Sequence, residues 1–369
     1  MTPPRTPPGV RVLLTLALAA TLVGCTRQSE PPRSTPPERA GAPATAGTAP
    51  APELAPVARA GRGQVVVTLF HETHIHGMLL GREQVGGPPA DGRTFAHYMG
   101  LLDQQRRRLK AGASLVVGNG DDLADELPVP EILGGGGPVA TRGRHAVEVF
   151  NAAMLDANTF GYNELDFLPD RLEEQVARSR FRWVSANVRD GRRPTEVLAA
   201  AQGARRWTLE RVAGFRVGVT GVVSPHIRLG DGDNAARVAP DVALLDPVTA
   251  LGEVVPQMRA AGAQLVVVLS HLFYQEMEQV ARDVDGVDVM VGSHHGPEPA
   301  GFLEQPRVVR GTILSIAGHD MAAVGQLDLV VRRSDGRVVR HASHRHVPTP
   351  QGPVAPAVKA VLDRYLADR

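Results

Sequence analysis

The 369-residue sequence has a single cysteine, Cys25, and almost no net charge. A single cysteine excludes disulfides within the chain, and it leaves the residues after Cys25 without a thiolate ligand for a metal ion. The formal net charge of +1 at pH 7 gives no reason to expect nucleic-acid binding. The apolar stretch at residues 12–23 is too short to cross a bilayer comfortably as a mature helix. Metal chemistry in this chain would therefore rest on histidine, carboxylate and amide ligands.

The first 25 residues have the pattern of a secretory leader. Two arginines precede the apolar residues 12–23, whose length suits the hydrophobic region of a signal peptide. Leu22-Val23-Gly24-Cys25 follows and resembles the bacterial lipobox, in which the leader is cut before a cysteine that then receives lipid. The residue after the cysteine is Thr26 and not an aspartate. In this respect the sequence is similar to outer-membrane lipoproteins of Gram-negative bacteria. We therefore expect a lipoprotein of the cell envelope, anchored in the outer membrane through Cys25 and facing the periplasm. An ordinary signal peptide with an incidental cysteine is the alternative.

Residues 26–61 are rich in Pro, Ala, Thr and Ser and have almost no large apolar side chains. Such a segment cannot bury enough apolar surface to fold, so we predict a disordered tether. The remaining residues, 62–369, are enough to build one sizeable hydrophobic core. The predicted organisation is therefore a leader over 1–25, a tether over 26–61 and one folded domain.

The stretch Gln64–Gly77, QVVVTLFHETHIHG, combines a short apolar run with three closely spaced histidines. The β-branched and aliphatic run predicts a strand that is buried on both faces. His74 and His76 follow two residues apart, so in an extended segment both imidazoles face the same way and can share one metal ion. A polar loop that carries histidines by chance is the alternative.

Three later apolar segments also end in residues that can bind a metal ion. Predicted strands at 113–117, 265–269 and 287–291 lead into Asp121, into His271, and into His294 and His295. Helices are predicted at about 94–110, 145–154, 169–180, 247–261, 274–283 and 354–367. Open α/β sheets bind ligands beyond the carboxyl ends of their strands. The pattern predicts an α/β fold with one composite site fed by several strand ends.

The order of these motifs resembles the bacterial 5′-nucleotidase branch of the calcineurin-like metallophosphoesterases. His71–Gly77 corresponds to the family pattern H-T-N-D-x-H-G, and Gly120-Asp121 to its Gly-Asp. Gly161–Asp166 corresponds to Gly-Asn-His-Glu-Phe-Asp, and the last histidines correspond to Gly-His-x-His. The resemblance covers roughly residues 64–369.

The resemblance implies a four-layer α/β/β/α metallophosphoesterase sandwich over residues 62–369. It also implies one or two divalent transition metal ions, of the Zn, Fe or Mn class, and hydrolysis of a phosphomonoester or phosphodiester by a metal-bound hydroxide. A small phosphorylated substrate would be the partner. The implied metal ligands are His74, His76, Asp121, Asn163, His271, His294 and His295. The neighbouring acids Asp122, Glu164 and Asp166 are expected to support or cap the site, and histidines 145, 226, 319, 341, 344 and 346 are expected on the surface or in loops.

The sequence also departs from the family pattern. The family's first aspartate is here His74, its asparagine ligand is Tyr162, and its catalytic histidine is Asn163. An amide can donate a hydrogen bond but cannot transfer a proton at neutral pH, so the implied catalytic role of Asn163 is altered. The second histidine of the last motif falls on Gly296, with His295 as a substitute.

Three hypotheses remain open at this point. The first is an active phosphoesterase of altered chemistry, and the second is a catalytically silent member that binds a metal ion, a ligand or an envelope partner. The third is a structural lipoprotein without a site. A histidine-rich ligand set predicts one tightly bound late transition metal ion and a weakly held second one, because fewer carboxylates offset the charges. Since the sequence stops at Arg369, we do not expect the family's C-terminal nucleotide-recognition domain.

Overall fold

Two six-stranded β-sheets form the centre of the computed structural model. The model describes residues 58–71, 75, 79, 93–110, 112–123, 144–165, 169–226, 241–297, 300–318 and 321–367. All of these residues belong to one compact unit, Ala51–Arg369. The leader with Cys25, the tether up to residue 57, and His74 and His76 lie outside the described residues. Within the described ranges, no helix is both long and apolar enough to cross a membrane.

The first sheet contains the opening strand. Its order is β15-β14-β1-β2-β3-β4. The strands are β1 (Gln64–His71), β2 (Ser114–Val117), β3 (Ala157–Asn158), β4 (Arg182–Trp183), β14 (Val324–Arg332) and β15 (Val338–His346). β1 to β4 run parallel, whereas β14 pairs antiparallel with both β1 and β15. The parallel arrangement brings the carboxyl ends of β1 and β2 to one edge.

The second sheet has the order β12-β13-β11-β10-β8-β7. Its strands are β7 (Trp207–Val212), β8 (Phe215–Val223), β10 (Leu265–His271), β11 (Val289–Val291), β12 (Arg307–Val309) and β13 (Thr312–Ser315). The four central strands are parallel, and antiparallel strands close both sides. A small third sheet was not predicted from the sequence and consists of β5 (Val188–Asp190), β6 (Arg193–Val197) and β9 (Val242–Leu244).

Seven α-helices are present among the described residues. They are α1 (Phe95–Arg106), α2 (Arg144–Ala153), α3 (Tyr162–Leu165), α4 (Pro169–Arg178), α5 (Pro247–Ala260), α6 (Tyr274–Asp283) and α7 (Pro356–Ala367). All except the one-turn α3 were predicted from the apolar periodicity. Asp246 caps the start of α5 by accepting a hydrogen bond from the Thr249 backbone N–H at 2.8 Å.

Each sheet is covered by helices on its outer face and by the other sheet on its inner face. Alternate residues of β1, Val67 and Leu69, pack against Val217 and Val219 of β8 in an apolar cluster between the sheets. A second cluster joins the first sheet to α1, α2, α4 and α7, and a third joins the second sheet to α5 and α6. The layers are therefore helix, sheet, sheet and helix, and the predicted four-layer fold is confirmed.

Two histidines that were expected on the surface are buried. His145 on α2 is 2% exposed, and His346 at the end of β15 is 8% exposed. His145 lies under α7, with its ring 6.3 Å from that of Tyr365. His346 is 2.9 Å from the side-chain oxygen of Gln326. The prediction was wrong because it was based on motifs, whereas burial here depends on packing between elements that are distant in sequence.

The residues immediately before β1 already contact the first sheet. The Ala58 backbone N–H donates a 3.0 Å hydrogen bond to Asp328 on β14. The Arg340 side chain on β15 donates to the Arg59 carbonyl at 2.7 Å. Asp328 is fully buried and also accepts from Thr68 and Gln326. Ala58 therefore helps to satisfy a buried carboxylate, and the Arg59 carbonyl accepts a hydrogen bond from a side chain of the edge strand β15.

Candidate metal centre

Strand ends from both sheets bring three of the predicted ligands together. Asp121 lies four residues beyond β2 of the first sheet. His271 is the last residue of β10, and His294 follows β11 of the second sheet. The facing carboxyl ends of parallel strands in two packed sheets thus place side chains that are far apart in sequence at one edge.

The three side chains form a compact group of potential metal ligands. Asp121 Oδ2 lies 3.1 Å from His271 Nε2 and 3.7 Å from His294 Nδ1. The ligand atoms of the three residues all lie within 4.8 Å of one another. Asp121 and His271 are fully buried, and the His294 side chain is 12% exposed. One carboxylate and two imidazoles are a donor set that suits zinc, iron and related divalent ions.

The backbone around Asp121 follows a path that requires glycine. Asp121 has φ of 57°, and Gly120 before it has φ of 87°. A Cβ on Gly120 would lie 2.3 Å from the Gly161 nitrogen, and a Cβ on Gly161 would lie 2.3 Å from the Asp121 nitrogen. The two segments touch through their backbones, so both glycines are needed to seat Asp121.

Glu164 holds this turn in place from the one-turn helix α3. Its carboxylate accepts backbone N–H bonds from Asp121 at 2.8 Å, Asp122 at 2.9 Å, Leu123 at 2.8 Å and Gly161 at 2.7 Å. Burial and the neighbouring Asp121 charge raise the pKa of Glu164, against the opposing effect of these hydrogen bonds. Glu164 thus caps the Asp121 turn, as the sequence led us to expect.

His271 is oriented by a backbone carbonyl. Its Nδ1 lies 2.9 Å from the Asn119 carbonyl oxygen, so Nδ1–H donates there and Nε2 is directed at Asp121. A metal-binding histidine is commonly held in this way, because the hydrogen bond selects the tautomer with a free Nε2 lone pair. Burial disfavours the imidazolium, but the Asp121 carboxylate outweighs it and raises the pKa of His271 above its usual value. The buried Asp121 carboxylate therefore stabilises a positive charge beside it, as a site for a metal cation requires.

Aromatic rings enclose His294. The Tyr162 ring meets it edge-on at 5.5 Å, and the Phe273 ring meets it edge-on at 5.3 Å. The His295 ring stacks on Phe273 at 5.9 Å and lies outside the three-residue ligand group. The Tyr162 and Phe273 rings thus pack against His294, whose side chain is 12% exposed.

Asn163 contacts the site through its backbone. Its N–H donates a 2.7 Å hydrogen bond to Asp121 Oδ1, which leaves Oδ2 of that carboxylate facing the two histidines. The residue is therefore adjacent to the ligand group, as predicted. A metal-binding or catalytic role for its side chain stays a prediction, as do the roles of His74, His76 and His295.

Two asparagines that support the site were missed by the sequence analysis. Asn119 donates through Nδ2 to the Ser270 carbonyl at 3.1 Å and so ties the β2 exit to β10. Asn158, at the end of β3, accepts from the Gly120 N–H at 3.1 Å and donates to Asp122 Oδ2 at 2.7 Å. The available signal was their position, since Asn158 ends β3 and Asn119 lies two residues beyond β2, and a buried amide needs a specific partner.

Comparisons of sequence relate this chain to known proteins. No family model matches the sequence. The trifunctional nucleotide phosphoesterase protein YfkN of Bacillus subtilis is 24% identical over 311 residues, which cover 74% of this chain and 20% of that protein. A 2′,3′-cyclic-nucleotide 2′-phosphodiesterase/3′-nucleotidase of Haemophilus influenzae is 24% identical over 297 residues, which cover 75% of this chain and 44% of that protein. This chain therefore spans less than half the length of these relatives.

Solved structures show the same fold. A 5′-nucleotidase precursor from Thermus thermophilus matches with a TM-score of 0.66 and 25% identity, over 82% of this chain and 59% of that one. The calcineurin-like phosphoesterase YfkN from Bacillus subtilis matches with a TM-score of 0.64 and 19% identity, over 83% of this chain and 98% of that one. The predicted resemblance and fold are thereby confirmed.

Proposed function

We propose that this chain, a relative of the 5′-nucleotidases with the calcineurin-like phosphoesterase fold, is a metal-dependent hydrolase of phosphoester bonds. The proposal rests on one observation. Asp121, His271 and His294 each place a ligand atom at the carboxyl ends of strands from the two sheets, and these three atoms lie within 4.8 Å of one another. The relatives named above are nucleotide phosphoesterases. A small phosphomonoester or phosphodiester is the substrate class that follows.

Asp121, His271 and His294 would hold the metal ion, and His74 and His76 are the further ligands proposed from the sequence. A divalent cation supplies Lewis-acid polarisation of a phosphoester oxygen and lowers the pKa of coordinated water. The two-imidazole donor set favours Zn²⁺ or Fe²⁺ over Mg²⁺ or Ca²⁺. With few carboxylates to offset the charge, we propose one firmly held ion and a weakly held second one.

The remaining residues position and shield the reacting groups. The Asn119 carbonyl keeps the proton of His271 on Nδ1, and Glu164 fixes the turn that carries Asp121. The Tyr162 and Phe273 rings lie 5.5 Å and 5.3 Å from the His294 ring and would shield that side of it from water. The Asn163 amide can donate a hydrogen bond to a phosphoryl oxygen, but it cannot protonate a leaving group.

Elemental analysis and hydrolysis assays of the purified chain test this proposal. After reconstitution with Zn²⁺ or Fe²⁺ we expect about one metal ion per chain and hydrolysis of p-nitrophenyl phosphate or bis(p-nitrophenyl) phosphate. Asp121→Ala combined with His271→Ala should lose the metal ion and the activity. His341→Ala, which removes an imidazole on β15 outside the ligand group, is the matched control. A reconstituted chain without bound metal would overturn the proposal.

A catalytically silent protein that binds a metal ion, a ligand or an envelope partner is the second candidate function. Tyr162 and Asn163 favour it, because they occupy positions where the family has its asparagine ligand and its catalytic histidine. Bound metal without hydrolysis of either nitrophenyl substrate would support this candidate over the first.

We further propose that Cys25 carries lipid and anchors the chain in the bacterial envelope, with the folded domain in the periplasm at the outer membrane. The support is the lipobox-like sequence Leu22-Val23-Gly24-Cys25. Multiple acyl chains on one cysteine would give firm attachment. Cys25→Ala, or inhibition of lipoprotein processing by globomycin, should release the protein from the membrane fraction. Unchanged membrane association of the Ala variant would contradict the anchor.

A further inference from the structure

A cavity of about 560 Å³ opens where the tether reaches the folded unit. Its walls are residues 58–60, the first half of β1, the segment that follows α1, and Ala213 and Arg333 from two turns. This volume lies within the range of small-molecule binding sites.

The cavity lies at the opposite edge of the sheet from the metal centre. It is lined by Gln64, Val65 and Val66 at the start of β1 and by Ala113 just before β2. Asp121 lies beyond the other end of β2. The eight residues of β1 span about 26 Å at ~3.3 Å per residue, so the two places are separated by the length of the sheet.

The charged side chains that line the cavity all carry positive charge. They are Arg59, Arg108, Lys110 and Arg333, and no acidic side chain of the described residues lines the cavity with them. Arg59, Lys110 and Arg333 form no ion pair with the carboxylates of the described residues. The nearby Asp328 carboxylate is fully buried and accepts hydrogen bonds from Ala58, Thr68 and Gln326. Several cations around one concave surface create a positive potential that attracts anions.

The lining also includes several apolar side chains. Val65, Val66, Leu109, Ala113 and Ala213 contribute to the lining. A ligand with a negatively charged head and an apolar part would contact both kinds of surface. Arginine and lysine side chains together are a common means of binding phosphate, since the guanidinium donates two parallel hydrogen bonds and the ammonium acts as a point charge.

We propose that this basic cavity binds the phosphate group of an anionic ligand. The phosphate could belong to a soluble organic phosphate or to the headgroup of an anionic phospholipid. The cavity adjoins Ala58, and residues 26–57 connect Ala58 to Cys25 in the sequence. The lipid source of the phosphate therefore rests on the proposed lipidation of Cys25. Neither the metal centre nor the proposed hydrolysis is needed for this site.

Lysine labelling provides a local readout of binding. Lys110 and Lys359 are the two lysines of the chain. Lys110 lines the cavity, whereas Lys359 lies on α7 in an ion pair with Asp363 at 2.6 Å. The full chain with Cys25→Ala is treated with an amine-reactive ester, and both sites are quantified by mass spectrometry. Inorganic phosphate is compared with chloride at equal ionic strength. At about ten times its Kd, phosphate should slow labelling of Lys110 about 10-fold and leave Lys359 unchanged.

Two double variants with the same change in charge distinguish specific phosphate binding in the cavity from nonspecific attraction of anions to a positively charged protein. Arg59→Gln combined with Arg333→Gln should raise the phosphate concentration for half-protection about 10-fold, because charge-assisted hydrogen bonds to phosphate are lost. Arg180→Gln combined with Arg182→Gln removes the same charge from exposed positions elsewhere and should change nothing. Equal effects of the two double variants, or no protection of Lys110 by phosphate, would overturn the proposal.

Vesicles identify the source of the phosphate. If the ligand is a lipid headgroup, phosphatidylglycerol vesicles should protect Lys110 relative to Lys359, and phosphatidylcholine vesicles should not. Protection by inorganic phosphate without protection by either vesicle would assign the cavity to a soluble organic phosphate. Both results support the phosphate site. In this experiment, the absence of phosphate protection would count against it, as would equal effects of the two double variants above.

Discussion

The two carboxylate oxygens of Asp121 make different contacts. One carboxylate oxygen is held by the Asn163 N–H, and the other faces the two histidines. The residue at position 163 is therefore fixed beside the ligand group by its backbone, whatever its side chain. Its side chain can be exchanged without removing that hydrogen bond.

Asn163→His should increase phosphoesterase activity by about 10²–10⁴-fold, because an imidazole restores a general acid for the leaving group. The measurement is kcat for p-nitrophenyl phosphate at constant metal content. Asn163→Ala is the control, since it also keeps the backbone N–H but adds no proton donor. A histidine variant that binds metal normally and hydrolyses no faster than the wild-type chain would show that position 163 does not limit the reaction.

His145 should make stability depend on pH. Burial lowers its pKa from 6.5 to about 4. Between these values the unfolded chain binds a proton that the folded chain does not, so stability is full above pH 6.5 and declines as pH falls toward 4. The loss is of the order of 3 kcal/mol for this one residue. His71 and His346, whose pKa values burial also lowers to about 4, should add to the decline.

Urea denaturation between about pH 7 and pH 4 measures this effect. His145→Gln should flatten the pH dependence of the unfolding free energy, whatever its effect on stability at neutral pH. His226→Gln, at a side chain that is 77% exposed, is the control. An unchanged slope in the His145 variant would mean that this imidazole is not protonated on unfolding in that range.

Two glycines within helices differ in the reason that a side chain would matter there. One is in close contact with another segment, and the other is not, so only helix propensity applies to it. A Cβ on Gly100 of α1 would lie 2.2 Å from the Pro353 carbonyl oxygen, whereas a Cβ on Gly252 of α5 would meet nothing within 4 Å. α1 therefore approaches the segment before α7 more closely than any side chain permits. Gly252 lies on the exposed face of α5.

Gly252→Ala should stabilise the protein by roughly 0.5–1 kcal/mol, because alanine loses less backbone entropy in a helix. Gly100→Ala should destabilise it by about 1–3 kcal/mol, because the backbones must separate to admit a methyl group. Each variant is the control for the other in thermal or urea unfolding. Stabilisation by Gly100→Ala would show that α1 and the residues before α7 pack less closely than described.

At the scale of the whole molecule, the two edges of the sheets have different chemistry. The carboxyl ends of the strands carry the histidine and carboxylate group, and the opposite edge carries the basic cavity beside the entry of the tether. Residues 58–60 are the point at which the tether joins the first sheet. In a lipid-anchored protein they would lie between the membrane-attached tether and the folded unit.

Deletion of residues 26–57 should leave the melting temperature unchanged within error, because their composition cannot form a core. Extending the deletion to residue 60 should cost about 1–3 kcal/mol, since Asp328 loses the Ala58 hydrogen bond and stays buried. Differential scanning calorimetry of the two deletions is the measurement. A drop of several degrees in the shorter deletion would mean that the tether packs against the folded unit.

The sequence by itself predicted an α/β fold and most of the helices, and its resemblance to the calcineurin-like metallophosphoesterases implied the four layers. β-branched runs and helical periodicity are local properties, and strand ends with histidine or aspartate predicted a composite site at one edge. Asp121, His271 and His294 were all identified as candidate ligands in this way, because each follows a predicted buried strand. The Glu164 cap was also expected from its place in the motif.

Tertiary structure alone decided which of those residues meet. The distance from Asp121 to His271 depends on how two sheets pack, and no local pattern encodes the register between sheets. The same holds for the buried His145 and His346, the support by Asn119 and Asn158, and the small third sheet. The basic cavity arises from separate segments of the chain, none of which is distinctive by itself. Contacts between residues far apart in sequence come from packing of the complete core, so they became visible only in the folded chain.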